Sequence, residues 1–108
     1  MTNAAIINLR EVGEVDAHTI LTGPLRRVRL ARLEPDQSEK LVADTQEHTM
    51  FTVSGTGVAK SGSAVVPLRH GVAVTLPLGG SVTIEAGLEG LELFIVSLAV
   101  PTHPEGSR

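Results

Sequence analysis

Short apolar runs, broken by Gly, Pro, Ser and Asp, follow one another along the whole chain. That is the pattern of an all-β sandwich or barrel. Ala5 to Leu9 reads as a first strand, rich in β-branched residues. Gly23 and Pro24 mark a turn, and Leu25 to Leu33 then alternates, with Val28 and Leu30 on one face and Arg27 and Arg29 on the other. Glu34 to Ser38 has turn composition. Strands are predicted over Lys40 to Ala43, Thr49 to Val53, Gly57 to Ala59, Ala64 to Leu68, Val72 to Leu76, Ser81 to Glu85 and Leu91 to Val100. The pair around Lys60 to Ser63 suits a hairpin. No stretch of ten residues carries helical periodicity with caps, so helix is a minor component. Residues 102–108 read as a flexible tail.

Length and composition narrow this further. A chain of 108 residues makes one domain with a single core, spanning 1–108, and 42% hydrophobic residues argue against disorder. Phe51 and Phe94 are the only aromatics, so Val, Leu, Ile and Ala must fill the interior and there is no base-stacking platform. A net charge of -3 opposes binding to a phosphate backbone, and the small cluster Arg26, Arg27, Arg29 and Arg32 does not overturn that. Nucleic acid is therefore not an expected partner. With no cysteine, disulfides and thiolate metal sites are excluded. The N-terminus lacks a basic region followed by an apolar core, and no run reaches the ~18 apolar residues of a membrane helix. A cytoplasmic protein with no membrane partner is the expectation.

One stretch carries a recognisable arrangement. Gly71, Pro77 and Gly79 stand at spacings of six and two residues. Gly71 suits a positive-φ hairpin turn, and Pro77-Leu78-Gly79 a tight turn into the next strand. Upstream, Pro35-Asp36 begins a segment that ends at Gly55, with fifteen residues between Gly55 and Gly71. These positions resemble the two motifs of the cupin superfamily, and the resemblance covers roughly Arg26 to Pro101. It implies a single-domain cupin, a conserved jelly-roll β-barrel with its core at about 26–101, preceded by N-terminal strands in 1–25. It also implies a homodimer, paired through an apolar sheet face with Ala5 to Leu9 as the natural pairing element.

The departures from those motifs bear on chemistry. The second motif's His position holds Val82 and its Asn position Ala86. The first motif's Glu position falls on His48. Its two His positions fall on Val42 and Asp44 with one spacing, or on Leu41 and Ala43 with the other. Cupin metals are usually held by three His and one Glu. Val42 and Val82 cannot coordinate, and two remaining donors rarely hold a divalent ion. No metal and no cofactor are therefore expected.

Asp44 and His48 are the candidate catalytic pair, with Asp44 orienting or charging His48. The bland alternative places Asp44 in a loop and His48 as a hydrogen-bonded wall residue. Val42, Asp44, His48, Met50, Thr52, Val82 and Ile84 are the predicted ligand-pocket lining. Glu47, one residue from the motif position, should face outward. The arginine face of Leu25 to Leu33 is expected in solvent; turned inward, it would instead bind a ligand carboxylate or phosphate. His18, His70 and His103 are read as solvated. The functional expectation is a metal-free barrel binding a small organic ligand in an accessory or regulatory role. The alternatives are an enzyme using His48 and Asp44 (an isomerase, epimerase or lyase), a metalloenzyme with atypical ligands, and an interaction module with a filled barrel.

Overall fold

The structure, a computed structural model, describes residues 4–100. The predicted tail over 102–108 and His103 lie outside the described residues. The first described element is a helix rather than the expected strand: α1 spans Leu9–Val12. Asn8 caps it, its side-chain oxygen accepting from the Arg10 amide, and Gly13 ends it at φ 80°. Capping at both ends fixes this single turn, and residues 5–8, expected in the strand, have no regular secondary structure. The strands are β1 (Glu14–Asp16), β2 (Leu25–Leu33), β3 (Ser38–Val42), β4 (Gln46–Ser61), β5 (Ala64–Leu68), β6 (Ala73–Leu76) and β7 (Ser81–Ala99), with a 3-10 turn at Ala17–Thr19.

All pairings are antiparallel. β4 and β7 are long because each runs through the places where the alternation suggested separate strands. Their shared ladder breaks between Thr52 and Ser54 and again between Gly55 and Gly57, where Gly55 faces Leu91 but Gly57 faces Ala86. Residues 87–90 bulge out between these rungs. Gly55 has φ 83°, and a Cβ there would run into the Gly90 carbonyl. The break divides the ladder into two halves. On one side, β1, β2, the second half of β7, the first half of β4 and β6 lie next to each other; on the other, β3, the first half of β7, the second half of β4 and β5 do.

The two halves face one another across one core. Ala31, Leu33, Met50, Leu91, Leu93 and Ile95 from the first join Leu41, Ala59, Leu68, Val82, Ile84 and Ala86 from the second in a single buried cluster. Bends at the bulged positions let each long strand serve both layers. Neither phenylalanine belongs to that cluster. Phe51 and Phe94 are directly opposite in register on the outer face of the first layer, and Phe51 is 40% exposed. Among the described residues no helix is long and apolar enough to cross a membrane.

Candidate functional site at the barrel mouth

The inward face of the first layer is built in rows. Arg27, Ser97, His48 and Leu76 are register partners across β2, β7, β4 and β6. The next row is Arg29, Ile95, Met50 and Val74, and beyond it lie Ala31, Leu93 and Thr52. The lower rows are hydrocarbon apart from Arg29 and the Thr52 hydroxyl, which is buried without a hydrogen-bond partner. Polar chemistry on this face is therefore concentrated at one end, the barrel mouth.

His48 sits there, half-buried, its Nδ1 2.8 Å from the Ser97 hydroxyl. Desolvation pushes its pKa below the usual histidine value. The Val42 carbonyl opposes that shift, while the positive charges of Arg29 and Arg27 reinforce it. A neutral imidazole follows. Arg29 donates to Glu39 on β3 at 3.0 Å, and the two side chains are 27% and 35% exposed. This ion pair joins the edges of the two layers. Arg27 lies opposite Asp16 in register and within 3.2 Å of Glu14, so acidic β1 balances the arginine face of β2.

The expectation that this arginine face turns to solvent holds at Arg27, which is exposed, and is corrected further along the strand, where Arg29 is half-buried and Ala31 and Leu33 are buried. Arg27 and Arg29 share the face of buried Ala31 and Leu33, while Val28 and Leu30 turn outward. The partners that make this tolerable, Glu14, Asp16 and Glu39, come from other strands, and nothing local to β2 announces them.

Two predicted pocket residues are also corrected. Val42 is 53% exposed and points away from the interior, because its neighbours Leu41 and Ala43 take the inward positions at 8% and 0% exposure. Asp44 is exposed in the bend between β3 and β4, and among the described residues its side chain makes no hydrogen bond to His48. Of the two motif spacings, the one that counts Leu41 and Ala43 thus matches the interior. Met50, Thr52, Val82 and Ile84 do point inward, at 1%, 0%, 3% and 1% exposure. They are packed as core rather than lining a cavity that solvent can reach.

The fit to a metal can be judged from the donors. Leu41, Ala43 and Val82 surround the position with hydrocarbon, and His48 has one ring nitrogen turned to Ser97. Among the described residues no three His, Cys, Asp or Glu side chains cluster. This set does not suit a divalent ion. Glu47 faces outward, and its carboxylate accepts from the Leu78 amide in the Pro77 turn at 3.1 Å. The same turn is tied to the end of β3, Gly79 donating to the Ala43 carbonyl at 2.7 Å and Ala43 to that of Gly80 at 2.9 Å.

A cupin protein from Bacteroides fragilis superposes with a TM-score of 0.74 at 15% identity, over 96% of this chain and 91% of the other. The fold is a cupin fold. A Cupin 2 conserved barrel domain protein from Salinispora arenicola is similar over 92% of each chain, with a TM-score of 0.73 and 14% identity. A predicted oxalate decarboxylase from Thermotoga maritima gives 0.67 at 20% identity, over 90% of this chain and 78% of that one. No protein-family model matches the sequence, and no curated protein does. At these identities the likeness extends to the cupin fold and not to an activity.

Proposed function

We propose that this chain is a metal-free cupin-fold binding domain that meets a small organic anion at the barrel mouth. The observation that carries the reading is the polar row of Arg27, Ser97 and His48, with Arg29 beside it, over a floor of packed hydrocarbon. Arg27 uses its Nε on Glu14 and Arg29 one terminal nitrogen on Glu39; their remaining N–H groups, with the imidazole and the hydroxyl, suit a carboxylate or phosphate, which accepts hydrogen bonds from several donors at once. The filled interior confines such a ligand to the rim. It also separates this cupin-fold domain from one that works by metal chemistry inside the barrel. The enzyme alternative has less support, since Asp44 stands away from His48 and leaves it without a carboxylate partner.

The test is a thermal-shift and calorimetric screen of mono- and dicarboxylates and sugar phosphates against neutral sugars. Anions should raise Tm in proportion to concentration over Kd, and Arg27→Ala should abolish the rise. Neutral sugars binding equally well, or no anion shifting Tm at millimolar concentration, would overturn the reading.

A second reading concerns the outer face and rests on the placement of Phe51 and Phe94. The two largest apolar side chains of the chain lie outside the core, beside half-buried Val28, Leu30, Val53 and Val96. Four adjacent strands of this length make a face of about 30 Å by about 20 Å. Such an area, on the order of 600 Å² before corrugation, approaches the ~800 Å² that each partner gives to a stable interface. A second copy of the chain, docked about a two-fold axis, is the occupant this reading commits to. Light scattering should then report two chains per particle, and Phe51→Asp should give a folded monomer. A wild-type monomer at high micromolar concentration would sink it.

A further inference from the structure

Among the described residues, Glu92 is the one carboxylate that the barrel buries on its outer side. Its side chain is 6% exposed, and it accepts from Arg10 at 2.5 Å, Arg32 at 2.8 Å and Ser54 at 3.3 Å. Those contacts hold its carboxyl below the usual glutamate range, with the Arg10 hydrogen bond the largest cause. Arg32 and Ser54 belong to β2 and β4, strands already fixed by the ladder. Arg10 does not: it lies on α1, outside the sheet.

That makes the Arg10 contact unlike the other two. α1 is four residues long and buries none of them. A helix of that length has no stability of its own in water. The backbone tie beside it is the Leu30 amide donating to the Gly13 carbonyl at 2.8 Å, and Gly13 is the positive-φ residue on which the segment turns. N-terminal to Gly13, Ile6, Ile7 and Leu9 stand over Leu30, Phe51, Val53 and Phe94, with an open groove of about 630 Å³ between them. Ile6 is 94% exposed and Ile7 43% exposed, and only Leu9 is half-buried, so apolar contact clamps the segment weakly.

We propose that the Arg10–Glu92 ion pair is a latch holding the N-terminal segment as a strap across the apolar sheet face, hinged at Gly13. Latched, the strap keeps the groove over Phe51 and Phe94 partly covered. Unlatched, it swings away and lays that face open without disturbing the barrel, because Arg32 and Ser54 still satisfy Glu92. This inference does not depend on the anion reading of the mouth.

Local hydrogen exchange, followed by mass spectrometry on the full chain, tests it through three variants. Arg10→Ala should raise exchange of the amides over 9–13 and of Leu30 by about threefold or more, the scale expected for losing a charge-assisted bond whose arginine is 58% exposed. Amides of the β4–β7 ladder should stay at their wild-type rates. Arg10→Lys, which keeps the charge, should restore part of the protection. Arg32→Ala, which leaves the latch in place, should keep 9–13 protected. Unchanged exchange over 9–13 in Arg10→Ala would overturn the proposal. So would an increase spread evenly through β4 and β7, since Arg10 would then support the whole fold rather than a separate strap.

Discussion

Truncating Met50 distinguishes a filled barrel from a ligand chamber. Met50 lies at the middle of the inward face, 1% exposed, between register partners Ile95 and Val74. Met50→Ala removes three heavy atoms from a packed environment. At ~0.8 kcal/mol per buried methylene-sized group the transfer loss is about 2.4 kcal/mol. A residual cavity of about 50 Å³, at ~24 cal/mol per Å³, adds about 1.2 kcal/mol. The sum, roughly 3.5 kcal/mol, falls within the ~2–5 kcal/mol of comparable core truncations. Urea unfolding monitored by far-ultraviolet circular dichroism should show a lower midpoint at unchanged slope. Thermal unfolding should show Tm lowered by more than about 12 °C, taking ~4 °C per kcal/mol. If Met50 instead bordered a solvent-filled chamber, its truncation would leave no new void. A loss under about 1 kcal/mol would therefore refute the packing argument.

Further outcomes follow from other positions. His48 is held below its ordinary pKa of 6.5, so the unfolded chain takes up this proton at higher pH than the folded one. Stability should be full above about pH 6.5 and decline as pH falls towards the folded value, and His48→Gln, measured by urea unfolding between pH 7 and 5, should flatten that decline. Gly55→Ala places a Cβ against the Gly90 carbonyl at φ 83°; a loss of about 3 kcal/mol or more is expected, and a wild-type Tm would contradict the close approach. Asp36, at φ 70°, occupies the third position of a turn closed by Gln37 donating to Glu34. Asp36→Gly should be nearly neutral and Asp36→Ala should cost about 1 kcal/mol, read as the difference between their urea midpoints.

Much of the fold is legible because turns are local chemistry. Gly71 and Gly79 have the positive φ (95° and 90°) that the motif spacing asks of them, and Leu25–Leu33 and Ala64–Leu68 carry strands with the bounds their alternation predicts. Asp36, in the predicted turn Glu34 to Ser38, adopts a glycine-like backbone at φ 70°. What was not legible depends on partners remote in sequence. A one-residue choice of spacing decides whether Val42 and Asp44 or Leu41 and Ala43 face inward, and the run itself suits both. Half-buried Arg29, on the face of Ala31 and Leu33, is explained only once β3 brings Glu39. The glycines that seemed to end strands turned out to bend β4 and β7 instead. Of the candidate site, His48 was found at the mouth, but its partner is Ser97 rather than Asp44. Ser97 lies forty-nine residues away in an apolar run, with no motif to mark it.

The proposed function requires a cupin-fold barrel that is packed with hydrocarbon and holds no metal ion. Calorimetric titration of the purified, chelator-treated protein with Mn(II), Fe(II), Zn(II) and Ni(II), alongside elemental analysis of the protein as isolated, tests it most directly. The account predicts no saturable heat and less than about a tenth of a metal ion per chain, because Leu41, Ala43 and Val82 offer no donor atoms. One tightly bound ion per chain, lost in His48→Ala, would contradict it.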